Sequence, residues 1–120
     1  MFAACSRSAI EPGEALRVES PETQGVPIAI FHTEDGEFYA IDDTCTHQDA
    51  SLADGWLEGC EVECPLHASR FDLRTGVVDA PPAKRPIRTH QVRVVDDTVY
   101  VAMSSQEANL PPGVLPGAAV

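Results

Sequence analysis

The chain has 120 residues, with 8 Lys or Arg against 19 Asp or Glu, which gives a formal net charge of −11. A chain of this length is expected to form one domain, residues 1–120, with a modest core and no room for a separate catalytic domain. The acidic balance argues against nucleic acids and anionic membranes as partners, and it favours proteins with basic patches.

The sequence also bears on location. No apolar run approaches the roughly 18 to 20 residues of a membrane span, and the first residues lack a basic segment followed by an apolar core. The 4 cysteines are poor evidence for disulfides, because the cytosol keeps thiols reduced. We therefore expect a cytoplasmic protein that does not bind membranes.

Frequent turn signals separated by short apolar runs predict an all-β fold. The clearest hairpin joins residues 26–32 to residues 37–42 through Asp35-Gly36. A second hairpin joins residues 91–95 to residues 98–102, where alternating valines supply one apolar face. No segment predicts a long amphipathic helix.

The region between the hairpins, residues 43–80, is predicted to form an inserted subdomain on a base of β-strands. Cys60, Val62 and Cys64 alternate with two glutamates there, which predicts a short strand with Cys60 as a buried small side chain. Trp56 is expected to pack in the core or at its rim. The tail, residues 103–120, is rich in proline and is expected to lie extended on the body.

Two short motifs in this region carry the chemistry. Cys45-Thr46-His47 and Cys64-Pro65-Leu66-His67 each place a thiolate and an imidazole in one tight loop. This is a ligand set for a [2Fe-2S] cluster in which two cysteines hold one iron and two histidines hold the other. Two ferric ions, two sulfides and two thiolates sum to zero charge, so an electron is easier to add than to an all-cysteine cluster. The motifs therefore predict a one-electron carrier.

A structural zinc site is the main rival use of two cysteines and two histidines. Such sites usually begin with a closely spaced pair of cysteines and close with a pair of histidines. Here each pair mixes one cysteine with one histidine, which favours the binuclear cluster. Catalytic Cys/His chemistry is a weaker alternative.

The chain resembles Rieske-type ferredoxins, the small soluble proteins that serve ring-hydroxylating oxygenases. The resemblance rests on the two ligand motifs and on the pattern around them, in residues 40–47, 50–55, 63–67 and 71–76, Pro81-Pro82 and both hairpins. It implies the Rieske fold, with stacked antiparallel sheets and an inserted cluster-binding subdomain. It also implies one [2Fe-2S] cluster per chain, held by Cys45, His47, Cys64 and His67, with both histidines near solvent.

The same resemblance implies a function in electron transfer rather than catalysis. Electrons would pass from a flavoprotein, an NAD(P)H-dependent ferredoxin reductase, to a terminal Rieske non-haem iron oxygenase that dihydroxylates aromatic compounds. We expect a monomer. Acids in the surrounding loops, Asp49, Asp54 and Glu58, could steer a basic docking face.

Several departures from the wider family are informative. Membrane-complex members carry a second cysteine in each loop, and Ala50 and Leu66 stand at those places here. High-potential members carry a serine and a tyrosine that donate to sulfur, and here Ser69 keeps the first donor while Phe71 lacks the second. We therefore predict a reduction potential in the lower part of the Rieske range of about −150 to +300 mV.

Two other assignments remain to be weighed. An oxygenase α subunit would need a mononuclear iron held by two histidines and a carboxylate, and only His32 and His90 remain for it. A small Rieske subunit of an assimilatory nitrite reductase, or of another redox complex, is the more serious alternative, since the sequence separates it poorly from a free carrier.

Overall fold

The computed structural model describes residues 1–66, 69–79 and 85–117. Its regular structure in these residues is β-strand, with three short 3₁₀ turns and no α-helix. The strands are β1 (Phe2–Ser6), β2 (Ala15–Val18), β3 (Ile28–His32), β4 (Phe38–Asp42), β5 (Trp56–Glu58), β6 (Glu61–Glu63), β7 (Arg70–Asp72), β8 (Thr89–Val95) and β9 (Thr98–Ala102). The prediction of an all-β protein is confirmed. In the part of the chain so described, no helix has the length and apolar character needed to cross a membrane.

Six strands form one antiparallel sheet in the order β1-β9-β8-β4-β3-β2. Both predicted hairpins are present in it. Strands β3 and β4 pair from Ile28 opposite Asp42 to His32 opposite Phe38, and β8 and β9 pair around a tight turn at Asp96-Asp97. Two residue pairs between β4 and β8 join the hairpins into one sheet.

Strand β3 lies between two apolar clusters, and all five of its residues are buried. Successive side chains of a strand point to opposite faces. Accordingly, Ile28 and Ile30 belong to one cluster, which includes Val99 and Val101, whereas Ala29 and Phe31 belong to the other. The run Ile-Ala-Ile-Phe is therefore apolar on both faces because both faces are covered.

A second antiparallel sheet has the order β5-β6-β7. Its centre is the cross-strand pair Val62 and Phe71, both fully buried. These two residues pack in the same cluster as Ala29 and Phe31, and Cys45 and Cys64 belong to that cluster as well. The small sheet thus places the end of β6, and with it Cys64, against the base of the molecule.

A buried polar cluster ties the end of β4 to the beginning of β8. The Asp42 carboxylate accepts from Arg88 Nε at 3.0 Å and from Arg88 Nη2 at 3.1 Å, and it lies 2.8 Å from His90 Nε2. The other ring nitrogen, His90 Nδ1, accepts from the Ser104 N–H at 2.9 Å. A neutral His90 ring with its hydrogen on Nε2 satisfies both contacts, because an acceptor nitrogen carries no proton.

The described part of the tail, residues 103–117, lies on the body as expected, but it turns between Pro111 and Val114 and is not extended throughout. Arg88 Nη1 donates to the Gln106 carbonyl at 2.7 Å, and Arg85 Nη2 donates to the Leu110 carbonyl at 2.6 Å. Near its end, the Gly117 N–H donates to the Gly25 carbonyl at 2.8 Å. The tail is therefore held by arginines of the segment that precedes β8.

Candidate metal centre

The first ligand loop begins where β4 ends. The Cys45 N–H donates to the Ala50 carbonyl at 3.0 Å, and a β-bridge between Thr44 and Ser51 closes the loop below it. The Ala50 N–H donates to the Gln48 carbonyl at 2.8 Å, which tightens the far side. These bonds hold residues 45–50 as one compact turn.

Asp43 braces this loop from beneath. Its buried carboxylate accepts from Arg17 Nε at 3.1 Å, Ser51 Oγ at 2.8 Å and the Ala53 N–H at 2.9 Å. Burial raises the pKa of Asp43, while these donors act in the opposite direction. The first loop is thereby fixed to β2 and to the chain that leads into β5.

The second ligand loop leaves β6 at Cys64. The Cys64 N–H donates to the Ser69 carbonyl at 2.9 Å, so the chain returns on itself before β7 begins. Ser69 is buried, Pro65 is half-buried, and Leu66 is 63% exposed. His67 lies outside the described residues, as do Pro81 and Pro82.

The two loops bring Cys45 and Cys64 together. Both side chains are buried in the same cluster, and the neighbouring Cys64 thiol contributes to a raised pKa of Cys45. Burial raises the pKa of the Cys45 thiol to about 11, and the backbone N–H groups of His47 and Gln48, which donate to its sulfur, offset part of the rise. Two sulfurs from separate loops thus share one site with little access to water.

His47 lies on the solvent side of the first ligand loop, opposite the buried Cys45. It follows Cys45 by two residues, yet its side chain is exposed, while Cys45 is fully buried. Cysteine inward and histidine outward on one loop is the arrangement that a cluster with one thiolate-bound iron and one imidazole-bound iron requires. The described donors therefore fit such a group. Among residues 1–66, 69–79 and 85–117, no three His, Cys, Asp or Glu side chains gather closely enough to hold one metal ion.

Two contacts at the site were not predicted from the sequence. Gln48 Nε2 lies 3.9 Å from Cys64 Sγ, so a side chain of the first loop reaches the sulfur of the second. Thr46 Oγ1 donates to the Arg85 carbonyl at 2.8 Å, which ties the first loop to the segment that holds the tail. Each contact joins residues far apart in sequence, so no periodicity or spacing could have indicated it.

The exposed surface of the first loop and of β5 carries both apolar and acidic side chains. Trp56, expected in the core or at its rim, is 62% exposed on β5, and its strand neighbour is Glu63, which precedes Cys64. The predicted steering acids Asp49, Asp54 and Glu58 are all exposed. Cys60 is half-buried against the core rather than fully buried, and it is hydrogen-bonded to Tyr39.

Comparison with known proteins agrees with this geometry. Residues 1–103 match the family model described as the Rieske [2Fe-2S] domain. The chain is 42% identical over 105 residues to a 3-phenylpropionate/cinnamic acid dioxygenase ferredoxin subunit of Photorhabdus laumondii, covering 86% of this chain and 94% of the relative. It is 45% identical over 102 residues to a biphenyl dioxygenase ferredoxin subunit of a Pseudomonas species, covering 84% and 90%.

Solved structures extend the comparison to the fold. A structure titled as a complex of reduced oxygenase and oxidized ferredoxin in carbazole 1,9a-dioxygenase matches with a TM-score of 0.76 and 38% identity, covering 84% of this chain and 100% of that one. Small subunits of nitrite reductases also match, at 21% and 22% identity, a likeness that shows the fold alone. With the family model spanning residues 1–103 and relatives above 40% identity, this chain belongs to the Rieske [2Fe-2S] domain family.

Proposed function

We propose that this protein is the ferredoxin of a multicomponent oxygenase system, carrying single electrons from a reductase to a terminal Rieske oxygenase. The observation that carries the proposal is the buried pair Cys45 and Cys64 beneath the exposed His47. The pair can hold an iron away from water, while the exposed imidazole provides a short path from a second iron to a partner. The protein is an electron carrier and not itself an enzyme.

The ligand assignment is part of the proposal. Cys45 and Cys64 would hold one iron, and His47 and His67 would hold the other, with one Rieske-type [2Fe-2S] cluster per chain. The bound cluster supplies a single reversible one-electron redox step. The chain's own contribution is to bury the thiolates, donate hydrogen bonds to their sulfurs and leave an imidazole edge at the surface.

The names of the relatives support an oxygenase as the electron acceptor, and the resemblance to Rieske-type ferredoxins is the basis for a reductase as the donor. We propose an NAD(P)H-dependent flavoprotein reductase as the electron donor and a terminal oxygenase acting on an aromatic compound as the acceptor. We also propose that the protein acts as a cytoplasmic monomer, with residues 1–120 as one domain and residues 43–80 as its cluster-binding part. The four free cysteines suit a reducing compartment.

Asp49, Asp54 and Glu58 are proposed to steer the partner, because exposed charges around a docking site accelerate association. Neutralising all three to Asn, Asn and Gln should slow electron delivery about tenfold at low salt. The difference should vanish near 1 M salt, where the screening length is about 3 Å. Stopped-flow measurement of oxygenase reduction at several salt concentrations gives both quantities.

A matched control removes the same number of charges from other exposed positions, by changing Glu11, Glu34 and Glu107 to Gln. This control should retain most of the rate. Equal rates and equal salt dependence for the two triple variants would contradict local steering and leave only an effect of net charge.

Membership of a nitrite reductase is the weaker assignment. The relatives above 40% identity are named as dioxygenase ferredoxin subunits, whereas the nitrite reductase small subunits are 21% and 22% identical. In a reconstitution with the reductase and oxygenase of a biphenyl or phenylpropionate system, this protein should transfer one electron per chain to the oxygenase. Transfer to a nitrite reductase large subunit but not to any oxygenase would overturn the proposal.

A further inference from the structure

Gln48 is the one described side chain whose amide reaches the sulfur pair. It lies in the first ligand loop, three residues after Cys45, and its Nε2 lies 3.9 Å from Sγ of Cys64 on the second loop. A sulfur acceptor is larger than an oxygen, so hydrogen bonds to it are longer than the usual N–H···O distance. The contact links the two ligand loops directly.

The backbone of Gln48 is fixed independently of this contact. Its N–H donates to Cys45 Sγ, and its carbonyl accepts from the Ala50 N–H at 2.8 Å. Gln48 thus acts on both cysteines: its main-chain N–H lowers the pKa of the Cys45 thiol, and its side-chain amide contacts Cys64 Sγ. The residue is half-buried, so its main chain is a fixed base from which the side chain extends toward the sulfur.

Binding of iron should strengthen the side-chain contact. Each thiol must lose its proton to bind a metal. Each ligand sulfur becomes an acceptor only, and the adjacent amide nitrogen of Gln48 supplies an N–H where its oxygen would repel the thiolate. Hydrogen bonds to ligand sulfurs are a main determinant of the potential of an iron–sulfur cluster.

We propose that Gln48 is a positioning residue for the cluster, acting through Cys64: its side-chain amide donates to the ligand sulfur and raises the reduction potential. The proposal rests on the proposed function, since it requires the assembled cluster. The donor favours the reduced state because that state places more negative charge on the sulfur. It offsets part of the loss of a hydroxyl donor at Phe71.

The test is a potentiometric titration of the cluster-loaded protein, comparing wild type with Gln48→Met and Gln48→Asn. Methionine keeps the side-chain length of glutamine but has no hydrogen-bond donor. Asparagine keeps the amide, but its shorter side chain cannot reach Cys64 Sγ. Both should shift the electron-exchange equilibrium against a reference couple about tenfold toward the oxidised state, which is about 59 mV for one electron. Gln91→Met, which removes an exposed amide from β8, should leave the potential unchanged.

Two outcomes would overturn the inference. One is a Gln48→Met protein with intact iron, sulfide and EPR signal but the wild-type potential. The other is a Gln48→Asn protein that retains the wild-type potential. A polar side chain at this position would then be enough to set the potential, without contact with Cys64 Sγ. Failure of the wild-type protein to bind a cluster would instead overturn the proposed function.

A second measurement covers the case in which the variants do not assemble a cluster. Wild-type protein labelled with amide-¹⁵N glutamine should give a weak ¹⁵N coupling in pulsed EPR of the reduced cluster. The other glutamines, at positions 24, 91 and 106, lie outside the two ligand loops. Absence of the coupling would contradict donation from Gln48.

Discussion

We expect the Asp42 side chain to hold β4, β8 and the tail together. Its carboxylate is 1% exposed and receives two nitrogens of Arg88, whose side chain is 10% exposed, as well as His90 Nε2. Asp42→Ala would leave a nearly buried guanidinium without a counter-charge. Breaking a buried pair in this way costs about 3–5 kcal/mol.

The expected shift can be measured by urea unfolding of the cluster-loaded protein, followed by circular dichroism. With a slope of about 2 kcal/mol per M, a loss of about 3–5 kcal/mol lowers the midpoint by about 1.5–2.5 M. Glu107→Gln, at an exposed position in the tail, should leave the midpoint nearly unchanged. A double variant, Asp42→Leu with Arg88→Met, should recover part of the loss because no unpaired charge remains.

A midpoint shift below about 0.5 M for Asp42→Ala would refute this reasoning. Such a shift corresponds to about 1 kcal/mol, the value typical of exposed ion pairs. The buried cluster would then contribute no more to stability than a surface contact. A double variant less stable than Asp42→Ala would contradict the explanation by an unpaired charge.

Three further expectations concern the turns and the site. Gly76 has a φ of +80°, and an added Cβ would lie 2.1 Å from the Ile87 carbonyl oxygen, whereas Gly36 has a φ of +90° with open space around it. Urea unfolding should therefore show a loss of about 1–2 kcal/mol for Gly36→Ala and a distinctly larger loss for Gly76→Ala, and equal losses would contradict the clash. Cys64→Ala should abolish stoichiometric iron binding while Cys60→Ala retains it, and iron analysis showing the reverse would remove Cys64 from the ligand set. Thr46→Val should hasten cluster loss to a chelator several-fold relative to Thr46→Ser, since the bond from the buried Thr46 side chain to the Arg85 carbonyl is lost, and equal rates would show that this bond does not hold the loop.

The two hairpins could be predicted because their signals are local. Asp35-Gly36 and Asp96-Asp97 lie between apolar runs, and the structure places β3, β4, β8 and β9 around them. Strand β1 gave no such signal, since its partner β9 lies at the other end of the chain, with Phe2 opposite Val101. Short strands such as β5 and β7 are fixed by their neighbours rather than by their own three residues.

The candidate site could likewise be predicted only in part. The spacing of cysteine and histidine predicts two ligand loops, and the structure places Cys45 and Cys64 in one buried cluster, as that prediction requires. The exposure of Trp56 and the contact of Gln48 with Cys64 Sγ could not be predicted, because each depends on how the loops pack against one another. The position of the second histidine, His67, remains a prediction.

The central claim is a cluster with mixed cysteine and histidine ligation at a low Rieske potential. Potentiometric titration of the anaerobic protein, followed by EPR, tests ligation and driving force in one experiment. We expect a rhombic signal with the low average g value of mixed ligation, titrating in the lower part of the range of about −150 to +300 mV. An iron-replete protein with the signal of an all-cysteine cluster, with no signal, or with a potential near the top of that range would contradict it.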